Sequence, residues 1–478
     1  MGSEWEIVSL DQVANMRNGA GVKQDFFADV GVPLARVSDF TTDSIDLSDC
    51  NFVESEHAKK WSSHLIAKDD VIVATVGSWP PNWSSVVGKV VRAPISSVGA
   101  IQNQNTCCVV PDEKRLNNSF LYYRLKFEDF AWHAANSAGG SANQARLPVK
   151  KLGEFRFNLP SLEEQEYIAQ ILSSLDNKIT LNRQLNQTLE QMAQALFKSW
   201  FVDFDPVIDN ALAAGNEIPS DLQDRAERRQ LQLAKADHKP LPENIRKLFP
   251  SEFELTESLG WVPLGWGVTD LKSLSTKISK GTTPTKSDLE KATDVGAIPF
   301  LKVKDISSDG KILHGGLELI PKSISEGALK RSILEKDDLL ISIAGSIGRT
   351  SVVQKDLHGC NCNQALAFIR LSDSDLHLQL VKLNIQGKRL QDEINSKIVQ
   401  AVQANFSLTQ LGELKILMSS GEVLHSFNAS LKPIQLRLNE IEIQSRNLEQ
   451  LRDTLLPKLI SGELRIPEAQ AQLEAVLG

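Results

Sequence analysis

Residues suited to metal or redox chemistry are scarce in this chain. Its 478 residues include five cysteines and eight histidines. Cys107 and Cys108 are adjacent and Cys360 and Cys362 stand one residue apart, and neither spacing lets two thiolates share a tetrahedral metal ion. The cysteines read as reduced, buried thiols, and the histidines lack ligand spacing, so no metal ligand is assigned. Long apolar runs are missing too: no window approaches the roughly 18 uninterrupted apolar residues of a membrane span. The opening MGSEWEIVSLDQ has neither the basic segment nor the apolar core of an export signal, so the expectation is a protein that is not exported.

Nucleotide loops are also absent. There is no G-x-x-x-x-G-K-[ST]; GSIGRTS at 345–351 lacks both the spacing and the lysine. No G-x-G-x-x-G precedes a helix. SWPPNW at 78–83 is only vaguely similar to the Pro-Pro-aromatic loop of amino-methyltransferases, and Trp79 stands where that loop needs an amide or carboxylate to hold its target amine. VPDEK at 110–114 lacks the acidic groups from separated strands that a metal-dependent nuclease requires, and it reads as a surface turn. No catalytic residue is assigned. A surplus of positive charge is missing as well: 52 Lys+Arg against 60 Asp+Glu leave a net charge of −8, where a polyanion binder is usually basic. The acidity is uneven, however. Residues 263–420 hold 20 Lys+Arg against 17 Asp+Glu, and residues 1–160 hold 16 against 18. Nucleic-acid binding by those two stretches stays open, with help from a partner.

What the chain does have is a repeat. KDDVIVATVGS at 68–78 is written again as KDDLLISIAGS at 336–346. WEIVSL (5–10) answers WGVTDL (266–271), and VPLARVSDF (32–40) answers IPFLKVKDI (298–306). NQNTCCVV (103–110) answers NQALAFIR (363–370), and KKLGEFRF (150–157) answers TQLGELKI (409–416). The order is kept and the offsets stay between 259 and 268 residues, which chance does not produce over five blocks. Each copy alternates β-branched runs with Gly, Pro, Asn and Asp clusters, and carries a helical patch late in the unit.

After each copy the pattern changes period. Ser161 with Glu164 three residues on is a capping box, predicting a helix over 161–202. Its apolar positions are Ile168, Ile171, Leu175, Leu185, Leu189, Met192 and Leu196. The second helix, 421–462, keeps a seven-residue rhythm through Leu424, Phe427, Leu431, Ile434, Leu438, Ile441, Leu448 and Leu455, with Ser445 and Arg452 as polar members. That rhythm is a coiled-coil seam, and Gly462 sits where a helix stop belongs. Pro433 predicts a bend or a later start, and Lys178, Asn182 and Asn186 predict a stretch that faces water or a partner. The expected fold is α+β: two tandem β-rich domains (1–160 and 263–420) separated by two long helices that form an antiparallel coiled coil with pseudo-two-fold symmetry. A partly helical connector (203–262) and a tail (463–478) complete the chain.

The turns of both copies are rich in groups that suit nucleic acid. Asn and Gln pair bidentately with adenine and Arg or Lys with guanine at the major-groove edge; Ser, Thr and glycine-turn amides suit phosphate oxygens. Candidates in the first copy are Arg17, Lys23, Arg36, Trp79, Asn82, Trp83, Asn103, Gln104, Asn143, Gln144 and Arg146. Those in the second are Lys280, Thr282, Thr283, Lys286, Lys302, Lys304, Ser346, Arg349, Asn363, Gln364 and Asn405. The turns recur while their letters differ, as two readers of two different sequences would.

NLPSLEEQEYIAQILSSLDNKITLNRQLNQTLEQMAQALFKSWFVDFDPV, KLFPSEFELTESLGWVPLGW, GSIGRT and the closing LLPKLISGEL together resemble the specificity subunits of type I restriction-modification systems, nearly end to end. The resemblance implies that each β-rich unit is a target recognition domain reading one half of a split, asymmetric double-stranded DNA sequence. It further implies two modification subunits that carry S-adenosylmethionine and methylate adenine at N6, restriction subunits that use ATP and Mg, and residence in a prokaryotic cytoplasm. No cofactor and no membrane contact are expected of this chain. Base-reading residues vary most within the family and are not carried over. A two-domain coiled-coil adaptor that binds no DNA stays open as the alternative.

Overall fold

The computed structural model describes residues 5–80, 82, 85–236, 239–307, 309–399 and 406–464. The chain divides into two compact units, one running to Leu185 and resuming at Glu440, the other spanning Asn186–Asn439. No helix among the described residues is long and apolar enough to cross a membrane.

The repeated sequence blocks occupy repeated places. In the first copy the strands Ala14–Asn18, Thr106–Pro111, Val71–Ala74 and Val90–Arg92 form an antiparallel sheet in that order. In the second, Ser275–Lys280, Leu366–Leu371, Leu339–Ser342 and Thr350–Val352 repeat order and sense. Glu6–Ser9 pairs with Arg156–Leu159 as Gly267–Asp270 pairs with Lys415–Met418. Each copy also holds one parallel pair, Val32–Ala35 with Ile101–Gln102 and Gly296–Leu301 with Asn361–Cys362. The late helical patches are helix pairs, broken at Phe127 and at Gly387.

The doubled KDD has a backbone cause. Asp69 (φ 64°) and Asp337 (φ 69°) are left-handed, a conformation that the short polar Asp side chain tolerates. The amide of each donates across to the neighbouring strand, Asp69 to Ala93 and Asp337 to Val353. The next aspartate closes the turn: Ala67 N donates to Asp70 Oδ2 at 2.9 Å and Glu335 N to Asp338 Oδ2 at 2.8 Å. Each of these carboxylates also meets an arginine, taken from different strands: Arg17 for Asp70 and Arg370 for Asp338.

Both long helices form, Leu162–Phe201 and Gly421–Ser461. Ser161 and Glu164 make the expected reciprocal cap, and Gly462 (φ 74°) ends the second helix. In the first unit, Ile168, Ile171, Leu172, Leu175 and Ile179 share one core with Leu448, Leu455 and Leu459 and with Phe120 and Leu121 of the β-rich domain. The pairing there is antiparallel: Asp176 meets Arg452 at 3.0 Å, and Asn182 meets Ser445 at 3.1 Å. In the second unit, Phe197, Trp200 and Phe201 enclose Phe427 beside Leu424, Leu431 and the sheet residues Leu339 and Ile341.

Three expectations need correction. Met192 is 52% exposed; Ala193, Leu196 and Phe197 supply that part of the seam. Asn182 and Asn186 do not face water: both are buried, and the Asn182 amide donates to Gln444 Oε1 at 3.0 Å and to Ser445 Oγ. Pro433 does not delay its helix, which starts at Gly421 and runs through it. Pro433 lies on the exposed face, where a carbonyl left without its helical donor is open to water.

The connector holds the helices Asp205–Ala214 and Gln223–Leu233 and the hairpin Phe253–Thr256 with Gly260–Pro263. Arg229 grips Asp209 through two hydrogen bonds of 2.7 Å each, and burial pushes the nearby Asp205 carboxyl up. A small turn of each β-rich domain touches the first long helix with opposite polarity, Asp43 to Arg183 at 3.8 Å and Lys311 to Glu190 at 3.9 Å. Such partly exposed pairs, with their charges open to solvent, contribute about 0–1 kcal/mol each.

Candidate nucleic-acid interface

In each domain the parallel strand pair ends beside an Asn-Gln turn, and three segments converge there. In the first, Asn103 N donates to Ala35 O, Ala20 N to Gln102 O and Gly19 N to Thr106 O, at 2.7–3.1 Å. Thr75 N, at the end of the central strand, donates to Asn105 O at 2.9 Å. In the second, the same bonds recur: Asn363 N to Leu301 O, Thr282 N to Cys362 O, Gly281 N to Leu366 O and Ile343 N to Ala365 O, at 2.9–3.0 Å.

The glycines are required by this approach. A Cβ on Gly19 would lie 1.9 Å from Asn103 O, and one on Gly281 would lie 2.0 Å from Cys362 O. Sequence reasoning missed both; the available signal was a glycine just past the equivalent strand in each copy. It also missed Gln102, fully buried with its Nε2 donating to Arg17 O at 3.3 Å.

Around this frame the structure brings together Arg36, Asn103 and Gln104 in the first domain, and Lys280, Thr282, Thr283, Lys302, Asn363 and Gln364 in the second; Lys23 is exposed before the short turn Gln24–Phe26. Asn103 Oδ1 accepts from Asn105 N at 3.0 Å, which shapes the turn. The Thr283 hydroxyl donates to Gln364 Oε1, whereas Gly21 occupies the matching place beside Gln104. Arg36 Nη2 lies 3.4 Å from Asp39, and Lys302 pairs with Glu318.

A second group lies on the small sheet Val76–Gly77, Gln144–Arg146 and Gly139–Ser141. Trp79 Nε1 donates to Ser141 O at 2.8 Å, and Asn82, Asn143, Gln144 and Arg146 are exposed nearby in sequence or on the sheet. Trp83 and Asn405 lie outside the described residues. The remaining candidates are placed apart. Arg17 is engaged by Asp70 within the sheet. Lys286 opens the helix Lys286–Lys291 after its Thr285 cap, and Lys304 is exposed. Arg349 donates to Ile306 O at 2.9 Å, and Ser346 O accepts from the Ser342 hydroxyl at 2.5 Å.

All five cysteines are free and buried. Burial pushes the Cys107 and Cys108 thiols up to about 12 and raises Cys362 further, which keeps them protonated and poor as nucleophiles or ligands. Both groups present amides, hydroxyls and cations at turns beside a sheet.

Comparison with known proteins matches residues 2–191 and 263–418 to the family described as type I restriction modification DNA specificity domain. The chain belongs to this family. The two matched stretches contain the two copies of the repeat, the first match running on into the long helix Leu162–Phe201. Among individual specificity subunits, the chain is similar to that of the type I restriction enzyme HindI of Haemophilus influenzae, 27% identical over 346 residues, covering 69% of this chain and 73% of that one. It is also similar to that of EcoBI of Escherichia coli, 24% identical over 472 residues, covering 96% and 86%. A solved structure, the S subunit of a type I restriction-modification system from M. genitalium, aligns with 95% of this chain and 96% of its own at 15% identity, with a TM-score of 0.48. A DNA specificity domain recognises DNA sequence within such a system, and that is the work of this specificity chain.

Proposed function

We propose that each β-rich domain reads one half of a split, asymmetric sequence in double-stranded DNA, and that the chain itself performs no catalysis. It directs two modification subunits, which bind S-adenosylmethionine and methylate adenine at N6, and restriction subunits, which use ATP and Mg to translocate and cleave. The observation that carries this reading is one backbone frame built twice and dressed with different side chains at its turns. Two readers on one scaffold need the same geometry and different letters.

Helix length sets the number of unread base pairs between the halves, because half-sites present the same groove face only at particular separations. Removing one heptad from each long helix is expected to change the spacer in the mapped methylation motif and leave the letters of both halves intact. An unchanged spacer would refute the role of the helices. The adaptor alternative is tested by binding of the chain, with its modification subunit, to target and scrambled duplexes over a range of salt. Preference for the target supports DNA reading; equal, absent binding supports the adaptor.

A further inference from the structure

Within two domains that read different words, a residue that reads a base at which the words differ must itself differ, while one that touches phosphate has no reason to. The repeat makes this comparison possible inside one chain. The Asn-Gln turn is identical in both copies, as is positive charge at the residue that follows the parallel strand, Arg36 or Lys302. The neighbours differ: Ala20 against Thr282, Gly21 against Thr283, Ser38 against Lys304.

Asn103 has a reason within the fold, since its Oδ1 holds the turn closed. The glutamine has none. Gln104 and Gln364 are exposed. Among the described residues, no hydrogen-bond partner is seen for the Gln104 amide, and Gln364 accepts only the Thr283 hydroxyl, which leaves its Nε2 to donate. Arg36 and Lys302 are likewise held beside the turn by different acids, Asp39 and Glu318. The two copies thus keep the same outward group on the same backbone frame, while the acid that each cation's side chain meets differs.

We propose that Gln104 with Arg36, and Gln364 with Lys302, contact DNA phosphates and set the register of each domain on the duplex, leaving base reading to the positions that differ. This rests on the DNA-reading function proposed above. The amide Nε2 donates to a phosphate oxygen, and the cation beside it neutralises one phosphate charge.

The test uses the complex with its modification subunit and two duplexes, one carrying the mapped target and one scrambled. Arg36→Ala and Lys302→Ala are each expected to reduce the slope of log affinity against log salt by about 0.9. They should weaken both duplexes by the same factor. Gln104→Ala and Gln364→Ala should weaken both duplexes equally without changing the slope, and all four variants should keep the wild-type methylation motif. Loss confined to the target duplex, or a relaxed base in the motif, would make these residues base readers and overturn the proposal, as would undiminished binding to both duplexes. A wild-type complex with no target preference would instead overturn the DNA-reading function itself.

Discussion

Phe427→Ala is expected to destabilise the Asn186–Asn439 unit by about 3–5 kcal/mol, the range for truncating a buried aromatic. Phe427 is fully buried. Its ring centroid lies 4.9 Å from that of Phe201, 5.7 Å from Trp200 and 6.4 Å from Phe197, so one side chain of the second long helix fills the space between three of the first. Alanine leaves a void bounded by large rings that have no room to collapse, because they also pack on Phe249 and Trp266. Urea unfolding measures the loss. Met192→Ala, on the first long helix but exposed, should stay within about 0.5 kcal/mol of wild type. Equal effects of the two substitutions would mean that the aromatic cluster does not join the helices.

Gly281→Ala is expected to have an effect of similar size for the opposite reason, overfilling. The added methyl would lie 2.0 Å from Cys362 O, 2.3 Å from Asn363 O and 2.4 Å from Cys362 C, all backbone atoms that no side-chain rotation can move. Relief requires the end of the Ser275–Lys280 strand to part from the Asn-Gln turn, breaking Thr282 N to Cys362 O. The cost is expected at or above the upper end for overpacking, about 3 kcal/mol. Recognition of the second half-site should fail while the first half-site survives. Gly267→Ala, which meets nothing within 4 Å, should leave both unchanged. Thermal unfolding and binding to duplexes altered in one half at a time give the comparison.

The parts of this protein that could be read in advance are those written locally. KDD announces its turn because a left-handed residue favours Asp, and the Ser161–Glu164 cap announces its helix. The repeat placed equivalent strands before any pairing was known. What escaped was decided by partners far away in sequence. Asn182 is polar, and only Gln444 and Ser445 on the other helix make its burial tolerable. Met192 followed a count of threes and fours, but a helix of 3.6 residues per turn drifts against a seven-residue repeat, and Ala193 with Phe197 took the inner face. At the candidate interface, Asn103, Gln104, Asn363 and Gln364 stood out by type. That Gly19 and Gly281 make room for them depends on a close approach between strands about 80 residues apart in sequence.

The most direct measurement is methylation-site mapping in cells whose chain carries residues 1–160 from another family member. Two independent readers on a shared scaffold predict that one half of the motif changes while the other half and the spacer persist. A motif altered in both halves, or in neither, would contradict the account.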